Sequence, residues 1–207
     1  MKIKAIVLHH TATGTGQSGD GADIVDALSR WAIDQSKGKY HHFYHTLIGP
    51  TGRRFNALSW DKVAPHCGID RGDPHVDPSG VNNQNSIAIA CIGNFELYSM
   101  PEAQFQTLLQ VCRETKKQYS GILFKLHREL VKTLCPGKRF PYQDLFQKLS
   151  QLKPHITDLS EKSWYEKAVR YCVEKGLMKV DENQCFRPDH NVTRSELAQV
   201  IYNLLQR

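Results

Sequence analysis

Two stretches of this chain are so apolar that only burial in a sheet can hold them. Residues 3–10 run Ile-Lys-Ala-Ile-Val-Leu-His-His and residues 86–93 run Ser-Ile-Ala-Ile-Ala-Cys-Ile-Gly. Both are strand-length apolar runs bounded by loop-forming sequence. A third strand is expected over Ile122–Leu126, delivering His127 at its end. Between the strands lie helical patterns. Ile24, Leu28 and Trp31 share one face of a helix that Asp20 or its neighbours can cap and Gly38 can end. Pro101 opens another, with Phe105, Leu108, Leu109 and Cys112 at helical spacing. Gly49-Pro-Thr-Gly52, flanked by His45-Thr-Leu-Ile and Arg53-Arg-Phe-Asn-Ala, is a hairpin signal. Strands alternating with helices imply an α/β fold, a central mixed sheet flanked by helices, with ligands gathering at strand ends. The Gly-rich stretch from Thr13 to Gly21 is a loop, and residues 65–85 form a second, long one of the kind that is more often functional than idle.

The segment Lys148–His155 is a plausible linker, which divides the chain into residues 1–150 and 151–207. Beyond it, capping boxes at Ser163-Trp-Tyr-Glu166 and Thr193-Arg-Ser-Glu196 open two helices, the first stopped by Gly176. In the second, Leu197, Val200, Ile201 and Leu204 form an apolar stripe that needs a partner surface, by docking or self-association. Charge is divided as unevenly as structure. Residues 1–153 hold 19 Lys+Arg against 13 Asp+Glu, whereas residues 154–207 hold 8 of each. The basic part suits an anionic polymer such as nucleic acid or bacterial wall, and suits simple solubility equally. No membrane span is present. Met1–His9 lacks the apolar run and cleavage site of a signal peptide, so synthesis in the cytoplasm is expected.

The six cysteines, at 67, 91, 112, 135, 172 and 185, show no Cys-x-x-Cys pair and no disulfide framework. Cys91 and Cys112 sit in apolar patterns and are expected as small buried hydrophobes. Cys135 differs. It follows His127 by eight residues, and the first strand supplies a third candidate ligand in His9 or His10, which alternation alone cannot separate. Two imidazoles and a thiolate fill three corners of a zinc tetrahedron and leave the fourth for water, whose pKa zinc lowers to about 7. His41, His42 and His45 are assigned to structure or groove lining, and Asp73-Pro-His-Val-Asp77 lacks the ligand spacing of a calcium loop.

Five ordered stretches carry a resemblance: Val7-Leu-His-His-Thr-Ala-Thr, Tyr44-His-Thr-Leu-Ile-Gly-Pro-Thr-Gly, Val63-Ala-Pro-His66, Asn85-Ser-Ile-Ala-Ile-Ala-Cys-Ile-Gly, and His127 through Cys135-Pro-Gly. In them the first 150 residues resemble the zinc-dependent N-acetylmuramoyl-L-alanine amidases shared by phage endolysins and peptidoglycan recognition proteins. The resemblance implies cleavage of the amide between the lactyl group of muramic acid and the first alanine of the stem peptide. It also implies Zn2+ held by His9, His127 and Cys135, with Tyr44 as the catalytic tyrosine and His66 near the substrate. Thr133 stands two residues before the cysteine, where some phage enzymes carry lysine and recognition-protein amidases commonly carry threonine. It would act as a neutral hydrogen-bond donor. The tail resembles a single S-layer homology repeat through Ile156-Thr-Asp-Leu, Trp164-Tyr-Glu-Lys-Ala, Glu174-Lys-Gly-Leu-Met, Phe186-Arg-Pro-Asp and Thr193-Arg-Ser-Glu-Leu-Ala. That implies binding to a secondary wall polymer, with Arg194 where the family uses an arginine for the acidic ligand.

The expectation is therefore an endolysin-like peptidoglycan hydrolase of phage or prophage, made without a signal peptide and acting on the wall after release. A secreted autolysin and a non-catalytic peptidoglycan receptor are the alternatives. Cys135 favours the enzyme. One repeat of a type that usually acts in threes leaves a homo-oligomer open. A DNA-binding reading of the last two helices fails for want of net positive charge.

Overall fold

The computed structural model describes residues 3–14, 19–67, 78–119, 121–150 and 156–205. Asp73–Asp77, the middle of both long loops and the end of the expected linker lie outside them. The chain divides into two compact units, Met1–Leu149 and Ser150–Arg207.

The first unit is built on a five-stranded mixed sheet in the order β3-β2-β4-β1-β5. β1 (Ala5–His10) lies between β4 (Ser86–Cys91) and β5 (Leu123–Leu126), parallel to both. β2 (Thr46–Ile48) pairs parallel with β4 and antiparallel with β3 (Arg54–Asn56). Every residue of β1 and β4 is buried, as their apolar runs Ala5–Leu8 and Ile87–Cys91 require. The hairpin of β2 and β3 closes where the sequence placed it, the Gly52 amide donating to the Gly49 carbonyl at 2.9 Å. Gly49 has no substitute. A Cβ there would lie 1.7 Å from the Asp20 carbonyl oxygen, so the hairpin meets the chain entering the first helix only because this side chain is absent.

α1 (Ala22–Gln35) begins with the Asp20 carboxylate accepting the Ala22 amide at 2.9 Å and ends at Gly38, in the left-handed region, whose amide reaches the Ile33 carbonyl. α2 (Glu102–Gln118) buries Phe105, Leu108, Leu109 and Cys112, the face the spacing predicts. Gln104, fully buried on this helix, donates to the carbonyls of Ile48 and Ile92 and so ties α2 to the ends of β2 and β4. Cys91 and Cys112 are both fully buried, as expected. α3 (His127–Leu130) is a single turn directly after β5. α4 (Tyr142–Ser150) follows Pro141 and continues into the first residues of the expected linker, a helix the sequence reading did not anticipate.

The second unit holds α5 (Glu166–Glu174) and α6 (Arg194–Leu205). Its core is small: Ile156, Leu159 and Val169, with Tyr165, Val173, Val180 and Phe186 packed against them. α5 starts at Glu166 rather than directly after Ser163. Tyr165 is the residue before the helix, and Glu166 turns along it to pair with Arg170. The box at Thr193 forms, the Thr193 amide donating to Glu196 at 2.8 Å and the Glu196 amide to Thr193 Oγ1 at 3.2 Å. Gly176, with positive φ, stops α5.

Candidate metal centre

Parallel pairing brings the strand ends to one edge of the sheet, and the donors are there. In the ladder between β1 and β5 the last matched pair is Leu8 with Leu126, so His9 and His127 are the next residues on adjacent strands. Their ring centroids are 4.5 Å apart. Cys135 reaches the same place because the chain after α3 folds back: the Arg128 amide donates to the Cys135 carbonyl at 2.9 Å, and Cys135 Sγ lies 3.7 Å from His9 Nδ1. Gly137 permits this approach, since its φ is +102° and a Cβ would fall 2.4 Å from the Phe95 carbonyl carbon. The Cys135-Pro136 peptide is cis.

Strand alternation separates the two adjacent histidines. His10 points to the other face, where its Nδ1 accepts the Phe95 amide at 3.1 Å. It serves the donor cluster through its backbone, the His10 amide donating to Cys135 Sγ at 3.4 Å. On the face of His9, the short side chains of Ala88 and Ala90 in β4 leave room for larger rings. Tyr44 packs against the cluster of Leu47, Ala90 and Ile92, with its ring centroid 5.3 Å from that of His9. His45 accepts the Ala88 amide at Nδ1, 2.9 Å, and donates from Nε2 to the Lys62 carbonyl, 3.0 Å.

His66 lies behind His9, only 4% exposed, rather than on a solvent-facing wall. Its Nδ1 is 3.1 Å from His9 Nε2 and its Nε2 is 3.1 Å from Ser86 Oγ. The loop carrying it is held by Asn83, whose side-chain oxygen accepts the amides of His66 and Cys67. Thr133 is half-buried, and its Oγ1 accepts the Cys135 amide at 3.3 Å. Arg194, in the second unit, is exposed at the start of α6.

Among the described residues, His9, His127 and Cys135 form a group whose ligand atoms all lie within 4.8 Å of one another. Tetrahedral zinc with two nitrogens and a sulfur needs donors about 3.3–3.6 Å apart, close to the 3.7 Å between His9 Nδ1 and Cys135 Sγ. The donor set fits that metal in type and size. Burial, reinforced by the rings of His127, His66, His10 and His45, holds the His9 pKa well below the ordinary histidine range, keeping its lone pair available. Burial pushes the Cys135 thiol up to about 12 against the lowering effects of the His10 amide and Arg128. A divalent cation reverses that preference, since a coordinating thiol is deprotonated outright. Beside His9, β1 leads into Thr11 and Thr13, which line a cavity of about 330 Å³ with Ile24, Ala27, Leu28 and Trp31 of α1.

Sequence reasoning did not single out Ser86 or Asn83. The signal for Ser86 was slight: a lone hydroxyl at the start of an otherwise apolar strand.

The fold and donor set together define an α/β sheet domain with a two-imidazole, one-thiol cluster at the ends of its parallel strands. The chain belongs to the N-acetylmuramoyl-L-alanine amidase family, which it matches over residues 1–138, and residues 155–198 match the S-layer homology domain. Its activity is that of a peptidoglycan amidase. The fold is similar to that of the N-acetylmuramoyl-L-alanine amidase LysC from Clostridium intestinale URNW, at 23% identity and TM-score 0.57 over 72% of this chain and 86% of that one. It is also similar to the Ph2119 endolysin of Thermus scotoductus MAT2119 bacteriophage Ph2119, at 24% identity and TM-score 0.52 over 72% and 85%. Drosophila peptidoglycan recognition protein SD matches at 22% identity and TM-score 0.56 over 77% and 83%. No curated protein sequence matches the chain.

Proposed function

We propose that the chain is a zinc-dependent amidase of the endolysin type, holding Zn2+ with His9, His127 and Cys135 and cutting the bond between N-acetylmuramic acid and L-alanine. The observation that carries this reading is the convergence of those three donors at one sheet edge. Zinc, when bound, supplies a nucleophile near neutral pH and a Lewis acid for the amide carbonyl. The chain supplies the rest. The His10 amide hydrogen-bonds the Cys135 sulfur and the Thr133 hydroxyl accepts the Cys135 amide, so both fix the loop that presents the thiolate. The Tyr44 ring beside His9 offers a hydroxyl as donor to the oxyanion that develops during attack. Thr133 is a second, neutral donor at the same edge. The cavity against α1, with Trp31 half exposed on its wall, suits an apolar face of the glycan or stem peptide.

The second unit carries none of these donors. We assign it to wall attachment through a secondary polymer, with Arg194 a contact for an acidic group of that polymer. Digestion of purified walls tests the whole reading. Free alanine amino groups should appear without new reducing sugar ends, a chelator should stop their release, and zinc should restore it. New reducing ends, or full activity in chelator, would contradict it. Without residues 151–207 the enzyme should still cut a small soluble muropeptide but sediment less with intact walls.

A further inference from the structure

We infer that His66 is a positioning residue that selects which nitrogen of His9 faces the metal, through a hydrogen-bond chain anchored on a backbone carbonyl. The inference rests on the zinc reading above for its consequence, but its structural content stands on the chain of contacts alone. Those contacts run in one line. His9 Nε2 is 3.1 Å from His66 Nδ1, His66 Nε2 is 3.1 Å from Ser86 Oγ, and Ser86 Oγ is 2.5 Å from the Asn82 carbonyl oxygen.

The polarity of this line is set at its far end. A carbonyl oxygen only accepts, so the Ser86 hydroxyl gives its proton to Asn82. The same hydroxyl oxygen then accepts from His66 Nε2–H. A ring with its one proton on Nε2 presents a lone pair at Nδ1, which accepts from His9 Nε2–H. His9 is left with its lone pair on Nδ1, the atom 3.7 Å from Cys135 Sγ. At His66 Nδ1 the other available donor is the Cys67 thiol, 3.4 Å away, but S–H is a weak donor and the His9 N–H, at 3.1 Å, takes the lone pair. The burial of both rings keeps water from offering either nitrogen another partner, since His9 is 1% exposed and His66 4%. Cys67, fully buried, packs its sulfur 3.4 Å from His66 Nδ1 and 3.6 Å from Ser86 Oγ, closing the side of the chain.

Ligating histidines ordinarily donate their second N–H to a carboxylate, a carbonyl or water, and loss of such a partner weakens metal binding about 10–100-fold. Here a second imidazole takes that place and relays to a carbonyl two bonds away. A carboxylate would add a negative charge to a site that already holds a thiolate. His66 gives the same orientation without that charge.

The test uses the full chain and two measurements. In the metal-free protein, ring nitrogen NMR should show His9 as the Nε2–H tautomer, and His66→Leu should lose that single state. Zinc affinity, from competition with a chromophoric chelator, should fall about 10–100-fold in His66→Leu. His66→Gln keeps an acceptor for His9 and should stay within about threefold of the parent. Melting temperatures of the metal-free variants separate loss of fold from loss of orientation. An Nδ1–H tautomer in the parent, or parental zinc affinity in a folded His66→Leu, would overturn the inference. Absence of zinc binding in a parent that holds the Nε2–H tautomer would sink the zinc reading and leave the hydrogen-bond chain standing.

Discussion

The two units of this chain handle polar groups in opposite ways. In the first, four histidines are interior: His9, His10, His45 and His66 are buried, and each has a ring nitrogen within hydrogen-bonding distance of a named partner. In the second, the organising polar groups are carboxylates at the surface. Asp181 accepts the amides of Asn183 and Cys185, Asp158 those of Phe186 and Arg187, and Glu196 that of Thr193. Surface carboxylates that cap turns cost little and specify local shape. Buried imidazoles are expensive unless every polar atom is satisfied, and a fold that buries four of them, with His9, His66 and His45 in successive ring contact, is organised around chemistry rather than stability. The same contrast holds for apolar groups. β1 and β4 are buried throughout, whereas α6 buries none of its residues and leaves Leu197, Ile201 and Leu204 about half exposed.

Core truncation should separate the units most sharply. Leu108→Ala removes a fully buried side chain under the sheet and should cost about 2–5 kcal/mol in denaturant unfolding. Ile201→Ala in the exposed stripe should change stability by less than about 0.5 kcal/mol. A cost of several kcal/mol at Ile201 would mean that the stripe is covered in solution, and the contrast would fail.

Chemistry should separate them next. Tyr44→Phe should lose about 10²-fold in turnover while zinc content stays unchanged, if its hydroxyl meets the developing oxyanion. Near-parental turnover would return Tyr44 to the packing around Leu47, Ala90 and Ile92.

Acid should then release the units in different ranges. Burial lowers the pKa values of His9, His10, His45 and His66 in the fold. Below about pH 6.5 the unfolded chain therefore binds more protons than the folded one. The stability from these rings is present above that pH and lost as pH falls. In the second unit, Asp181 is lowered first by the Cys185 amide and Glu196 first by the Thr193 amide, so stability there persists to about pH 4 and is lost below it. Hydrogen exchange of the metal-free chain across pH should show protection of β1 and β4 starting to fall at a higher pH than that of α6, each measured against its own value at neutral pH. Simultaneous release in the carboxylate range would contradict this order.

Much of the first unit was legible because its signals are periodic or punctuated. β1 and β4 are apolar runs, α2 shows its buried face at helical spacing, and Gly49 and Gly52 mark the hairpin. The choice between His9 and His10 was not legible from alternation, since adjacent strand residues face opposite sides and both faces here are buried. His66 sits in a loop rich in Gly, Pro, Asp and Asn, where no period reveals burial. Its contact with His9 crosses 57 residues of chain. The Ser163 motif shows the converse: the helix it announces starts at Glu166, whose carboxylate pairs with Arg170 four residues on. α4 was missed because its short amphipathic pattern merges into the polar residues before the tail.

The central claim is that three donors at one sheet edge hold one zinc, and elemental analysis of the purified chain tests it most directly. The parent, purified with zinc supplied, should carry about one equivalent per chain, the capacity of a single four-coordinate site. Cys135→Ala and His9→Ala should lose most of it, and His10→Ala should retain more than His9→Ala. Less than about a tenth of an equivalent in the parent, or unchanged zinc in Cys135→Ala, would contradict the claim.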